Sequence, residues 1–138
     1  MVERSLLVVD DEDAIRFAMR EYFTALGYRV ACSRDVTEAK ARLAGASYGI
    51  VIADLRLSSR RESEGLEIVS YVREHYPSTR IVLLTAYGSA EVEAEARKRG
   101  AHAFLQKPQP LPEVARILCE LPEGGPTEGL DSPGVSSR

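Results

Sequence analysis

Asp10 and Asp11, Asp54, Thr85 and Lys107 stand at or just past the ends of short apolar runs: Leu6–Val9, Ile50–Ala53, Ile81–Leu84 and Phe104-Leu105. Brought together, they offer carboxylates, one hydroxyl and one ammonium. Mg²⁺ takes hard oxygen ligands, commonly one or two protein carboxylates plus a phosphate oxygen. Adjacent carboxylates repel one another, so grouping them is costly unless a cation balances them. A carboxylate can also attack phosphorus to give an aspartyl-phosphate. Phosphoryl transfer then asks mainly for positioning and for neutralisation of the phosphoryl oxygens. Asp54, a single acid after its run, is the candidate nucleophile, with Thr85 and Lys107 to bind the phosphoryl oxygens. Each residue alone has a plain reading: acids near a helix start, a loop cap, a solvated lysine at a strand end. The combination is what points to phosphoryl chemistry.

The runs that carry these residues are short and rich in β-branched side chains, the pattern of buried strands. Between them lie stretches with apolar residues three and four apart. The first has Ile15, Met19, Tyr22 and Leu26, with Gly27 at the left-handed C′ position. A second opens at Asp35 with Glu38 three residues on, buries Val36, Ala39 and Leu43, and ends at Gly45. A third runs from about Gly65 to Tyr76 and stops before Pro77, a fourth from Ser89 to Gly100, and a fifth from about Leu111 to Leu121. This alternation predicts an α/β fold, a parallel sheet with helices on both faces in a three-layer sandwich. Open sheets of that kind bind ligands at the carboxyl ends of their strands, where all the chemical residues fall.

The chain has 138 residues, 44% hydrophobic and 28% charged, with a net charge of -3. One packed domain is expected over residues 1–121, followed by a Gly/Pro/Ser-rich flexible tail over 122–138. The acidic balance argues against a nucleic-acid surface. No apolar run approaches a membrane span, and the N-terminal run is too short for a signal-peptide core. Cys32 and Cys119 are read as buried free thiols in a cytoplasmic protein. Gly-x-Gly phosphate loops are absent, which speaks against dinucleotide and P-loop chemistry.

The set Asp10-Asp11, Asp54, Thr85-Ala86 and Lys107-Pro108, with Gly100-Ala101 before the last strand, resembles the receiver domain of bacterial two-component response regulators from residue 5 to about 121. The resemblance implies a flavodoxin-like, five-stranded parallel sheet in order 2-1-3-4-5 with five helices. It also implies Mg²⁺ (or Mn²⁺) held by Asp11 directly, by Asp10 mostly through water, by Asp54 and by the Arg56 backbone carbonyl. Lys107-Pro108 is commonly cis in the family. Thr85 and Phe104 are matched to its switch pair: the phosphoryl group draws the hydroxyl in, the aromatic turns, and the face of the fourth helix, fifth strand and fifth helix changes. The fourth helix has Val92 as its one larger apolar residue, so weak anchoring and mobility are expected there. The phosphoryl donor would be a histidine kinase or phosphotransfer protein. The output would be a protein contact, either with a downstream target or with a second copy through helices four and five.

The match departs from the family after Asp54. Ser58 stands where a proline is usual, Glu64 replaces an aspartate, and Gly65 arrives about three residues late, leaving a longer loop, Ser58–Glu64, that carries Arg60 and Arg61. Those arginines read as solvated or as groups that reach the phosphoryl site or the kinase. Arg56 and Tyr87 flank the path of an attacking water, which predicts a long-lived phosphoaspartate. Two other readings compete. One is a silent interaction module that kept the fold. The other is a Mg²⁺-dependent phosphatase using Asp11-Glu12-Asp13, although the cap and late acidic pair such an enzyme needs are not visible. The chain could equally be a receiver cut from a longer regulator.

Overall fold

The computed structural model describes residues 4–57 and 63–122. In chain order the elements are β1 (Ser5–Val9), α1 (Asp13–Ala25), β2 (Arg29–Ser33), α2 (Val36–Gly45), β3 (Ile50–Ala53), α3 (Ser63–His75), β4 (Arg80–Thr85), α4 (Ala90–Arg99), β5 (Ala103–Gln106) and α5 (Leu111–Glu120). The strands form one sheet in the order β2-β1-β3-β4-β5, and every pairing is parallel. This is the expected flavodoxin-like arrangement.

The strand sequences explain the layers. Side chains alternate across a strand, so a run apolar at every position must be covered on both faces. Leu7, Val9, Val51, Ala53, Ile81 and Leu83 pack with Ala39, Leu43, Val69, Val72 and Ala96 from α2, α3 and α4. Their neighbours Leu6, Val8, Ile50, Ile52, Val82 and Leu84 pack with Met19, Phe23, Val114 and Leu118 from α1 and α5. β1, β3 and β4 are buried throughout.

The helix ends follow the sequence signals. The Asp35 carboxylate accepts from the Glu38 N–H, and the Ser89 hydroxyl accepts from the Val92 N–H. Gly27 and Gly100 take positive φ, +97° and +125°, just past α1 and α4. Two burial expectations fail. Leu26 is 43% exposed, because it is the C-cap of α1 and lies past the helical face; Phe23 is the residue buried in its place. Cys119 is exposed while Cys32 is buried. Leu118 faces the sheet, and the next residue on α5 lies about 100° around the helix.

The long loop after Asp54 is tied at both ends. Glu64, 8% exposed, accepts a hydrogen bond from the Leu57 N–H at 2.8 Å, and the Gly65 N–H donates to the Leu55 carbonyl at 2.8 Å. A Cβ on Gly65 would lie 2.5 Å from Leu55 Cα, so only glycine lets α3 start this close to the strand end. Ser58, Arg60 and Arg61, and the expected tail beyond Pro122, lie outside the described residues.

Candidate functional site

Asp10, Asp54 and Lys107 hang on backbone that continues the sheet ladder one step past a strand. The Asp10 N–H donates to the Ser33 carbonyl at 3.0 Å, the Asp54 N–H to Val9 at 2.9 Å and the Lys107 N–H to Thr85 at 2.9 Å. Parallel strands all point the same way, so these extensions meet at one edge. The residues there are fixed by the same ladder that carries the core. The Lys107-Pro108 peptide bond is cis.

Lys107 Nζ sits at the centre of the site. It donates to Asp10 Oδ2 at 2.8 Å, to Asp54 Oδ2 at 3.1 Å and to Glu12 Oε1 at 3.4 Å. Asp10 and Asp54 are 4% and 5% exposed, whereas Asp11 is open to solvent. Asp10, Asp11 and Asp54 can each present a carboxylate oxygen within 4.8 Å of the others. That donor set fits a hard divalent cation, since two of its carboxylates are nearly buried and share one ammonium.

The electrostatics follow from this crowding. Burial pushes the Asp10 carboxyl up from its ordinary value, and the hydrogen bonds from Lys107 and the Glu12 N–H only partly offset that. Burial also pulls on Lys107 in the direction of the neutral amine. The hydrogen bond and charge of Asp10, with those of Asp54, outweigh it and hold the ammonium well above its usual range.

Thr85 is fully buried at the end of β4, and its Oγ1 accepts from the Tyr87 N–H at 3.1 Å. Arg56, two residues past Asp54, places its guanidinium carbon 4.2 Å from the centre of the Tyr87 ring. With Asp11, Glu12, Leu57, Ala86 and Lys107, this pair and Asp54 line an open cavity of about 300 Å³. Phe104 is 8% exposed and belongs to the core cluster against which Val92 of α4 packs.

The structure therefore brings together Asp10, Asp11, Asp54, Arg56, Thr85 and Lys107. It does not assemble the alternative Asp11-Glu12-Asp13 device. Asp13 opens α1, its side chain is 93% exposed, and it pairs with Arg16. Two contributors were not singled out from the sequence for their part here. Glu12 reaches Lys107, and Arg16 donates from Nη1 to the Asp10 carbonyl at 2.8 Å. Glu12 directly follows the Asp pair, so its neighbourhood was legible. Arg16 reaches the same loop because it lies one helical turn into α1.

Comparison with known proteins agrees with this geometry. Residues 6–118 match the profile of the response regulator receiver domain. The chain is 31% identical over 119 residues to the response regulator protein PilR of Pseudomonas aeruginosa, covering 86% of this chain and 26% of PilR. It is 32% identical over 124 residues to the photosynthetic apparatus regulatory protein RegA of Rhodobacter capsulatus, covering 90% of this chain and 66% of RegA. It is 30% identical over 138 residues to the acid tolerance regulatory protein ActR of Rhizobium meliloti, covering 99% of this chain and 68% of ActR. Among solved structures, the chemotaxis protein CheY4 of Vibrio cholerae superposes with a TM-score of 0.79 at 28% identity, over 87% of this chain and 99% of that one. A beryllofluoride-activated NtrC4 receiver domain dimer shares the fold, with a TM-score of 0.76 at 22% identity over 84% of this chain and 93% of that one. By its sequence match, its topology and the residues at its sheet edge, the chain belongs to the response regulator receiver family of two-component signalling.

Proposed function

We propose that Asp54 accepts a phosphoryl group from a histidine kinase or phosphotransfer protein, and that the phosphorylated chain changes the α4–β5–α5 face to bind a protein target or a second copy of itself. The observation that carries this reading is the placement of the Lys107 ammonium on Asp54 and Asp10 at the edge where Asp11 also stands. An Asp54 carboxylate oxygen attacks phosphorus, the new O–P bond forms, and the bond from phosphorus to the donor's leaving atom breaks. The leaving atom takes the bonding pair. Lys107 holds one phosphoryl oxygen and Thr85 turns its hydroxyl to another. Asp10, Asp11, Asp54 and the Arg56 backbone carbonyl are the ligands for Mg²⁺ (or Mn²⁺), which when bound supplies positive charge to the transferring phosphoryl oxygens.

The reaction is on the chain itself, with no external substrate turned over. Among the described residues no helix is long and apolar enough to cross a membrane. The family match supports reading the output as a protein-to-protein signal in the cytoplasm. The test is intact mass after incubation with Mg²⁺ and a small-molecule phosphodonor, with and without excess chelator. One phosphoryl group on wild type, none on Asp54→Asn and none with chelator is the expected outcome. Equal labelling of wild type and variant would remove Asp54 from the reaction.

A further inference from the structure

Three carboxylates share the Lys107 ammonium, and they are not equal. Asp10 Oδ2 lies at 2.8 Å and Asp54 Oδ2 at 3.1 Å, both on side chains that are nearly buried. Glu12 Oε1 lies at 3.4 Å, and its side chain is 61% exposed. An ammonium has three protons, so these three acceptors take up its whole donor capacity. A phosphoryl oxygen that binds Lys107 has to displace one of them. Asp54 is the residue that carries the phosphoryl group. Asp10 is fixed from two sides: its Oδ1 accepts the Glu12 N–H at 3.0 Å, and its Oδ2 has the shortest bond to Lys107. Glu12 has the longest bond and water at hand to replace it, so it is the acceptor that leaves.

The sequence explains why Glu12 is free to take this place. It is the N-cap of α1, with extended backbone, yet its side chain caps no N–H of the first turn. Asp35 and Ser89 do cap α2 and α4, with the short side chains that the N-cap position favours. The longer glutamate reaches past the helix start instead and lines the cavity with Asp11, Asp54 and Lys107. It adds one more carboxylate to an edge that an anionic phosphodonor has to enter.

We propose that Glu12 is a built-in competitor of the phosphoryl group: it holds the third proton of Lys107 until a phosphoryl oxygen displaces it. This rests on the receiver reading and adds to it the group against which any donor competes. Glu12 lowers the affinity of the site for a phosphoryl oxygen, and phosphorylation releases its carboxylate into solvent at the rim.

The test uses the full chain at saturating Mg²⁺ with beryllofluoride, a phosphoryl mimic, and fluorine NMR to count bound against free. Glu12→Ala is expected to bind about fivefold more tightly than wild type, the upper range for an exposed ion pair. The variant loses no cap bond and no buried surface, so it folds. Glu12→Asp keeps the charge but is shorter by one methylene, about 1.5 Å, which takes it out of hydrogen-bond range of Lys107. It is expected to gain as Glu12→Ala does. A gain in Glu12→Ala that Glu12→Asp does not share would mean that rim charge, not the contact, sets the affinity, and would overturn the proposal. Equal or weaker binding by Glu12→Ala would overturn it and leave the proposed function standing. Binding by neither wild type nor Glu12→Ala would overturn both. The contact has its own readout in chelator, without any mimic. The chain has three lysines, Lys40, Lys98 and Lys107, so the Lys107 ammonium nitrogen is assignable by substituting the other two. Its resonance is expected to move in both Glu12 variants, and an unmoved resonance would also overturn the proposal.

Discussion

At the residue scale the site is a balance of charges around one ammonium. Asp10 and Asp54 are nearly buried, and Lys107 is the cation that touches both. Lys107→Met should therefore leave two buried carboxylates without a hydrogen-bonded cation and destabilise the chain by about 3 kcal/mol in chelator. Millimolar Mg²⁺ should recover much of that loss, because the ion can balance the same oxygens. Thermal melts with chelator and with Mg²⁺ check this; a loss untouched by Mg²⁺ would argue that the acids do not hold the ion. Arg56 over Tyr87 is the second residue-level device. An exposed cation–π contact is worth about 1 kcal/mol. If the pair obstructs the attacking water, Arg56→Ala should speed loss of the phosphoryl group by about fivefold, and Tyr87→Ala similarly. Mass-detected decay after removal of the donor measures it, and an unchanged lifetime in both variants would exclude obstruction.

His102 carries a pH dependence of its own. Its Nδ1 accepts from the Ile81 N–H at 3.0 Å, so the ring is neutral with its proton on Nε2. Burial, with Arg73 of α3 and Arg80 of β4 nearby, pushes its pKa down to about 4 from 6.5. The unfolded chain therefore binds this proton more readily. The stability that depends on His102 is complete above about pH 6.5 and is lost as pH falls toward 4, by about 3 kcal/mol. His102→Asn, which keeps an acceptor for Ile81 and does not titrate, should lose less between pH 7 and about 4.5 in urea titrations. Asp10 shifts in the opposite sense, upward, and its effect is common to both proteins, so the difference isolates His102. Equal losses in the two would contradict the assignment.

At the element scale the helices are unequal. α1 anchors through Met19 and Phe23 and α5 through Val114 and Leu118, whereas α4 buries only Ala96, with Val92 partly covered. Less apolar area removed from water means a smaller penalty for opening. Its outer face is held by i,i+4 pairs, Glu93 with Arg97 and Glu95 with Arg99, and exposed pairs of that kind contribute little. Amide exchange should accordingly be fastest in α4 among the five helices; exchange as slow as in α1 would contradict it. The mobile helix is also the one whose flank would form the output face. At the same scale, Glu64 and Gly65 fasten the start of α3 to Leu57 and Leu55, close to the end of β3.

Over the whole molecule, the fold was legible because parallel strands buried on both faces leave unbroken apolar runs, and because Asp35, Ser89, Gly27 and Gly100 mark helix ends with side chains whose physics is local. The site was legible for the same reason: its residues follow those runs directly. Cys119 was misread because a single apolar neighbour does not tell which side of a short helix faces the sheet. Leu26 was misread because the spacing continues past the point where the helix stops. The Glu12 contact with Lys107 could not be read at all, since it depends on how far a side chain at a helix start reaches toward a lysine 95 residues on. The proposed function couples one edge chemistry to one weakly held face, and that proposal turns on whether Asp54 is the carboxylate that takes the phosphoryl group. The most direct measurement is borohydride trapping of the phosphorylated chain, followed by peptide mass mapping. Reduction of an acyl phosphate converts the aspartate to homoserine. The account requires homoserine at position 54 and only there. Trapping at Asp10 or Asp11, or a phosphoryl group that resists borohydride, would contradict it.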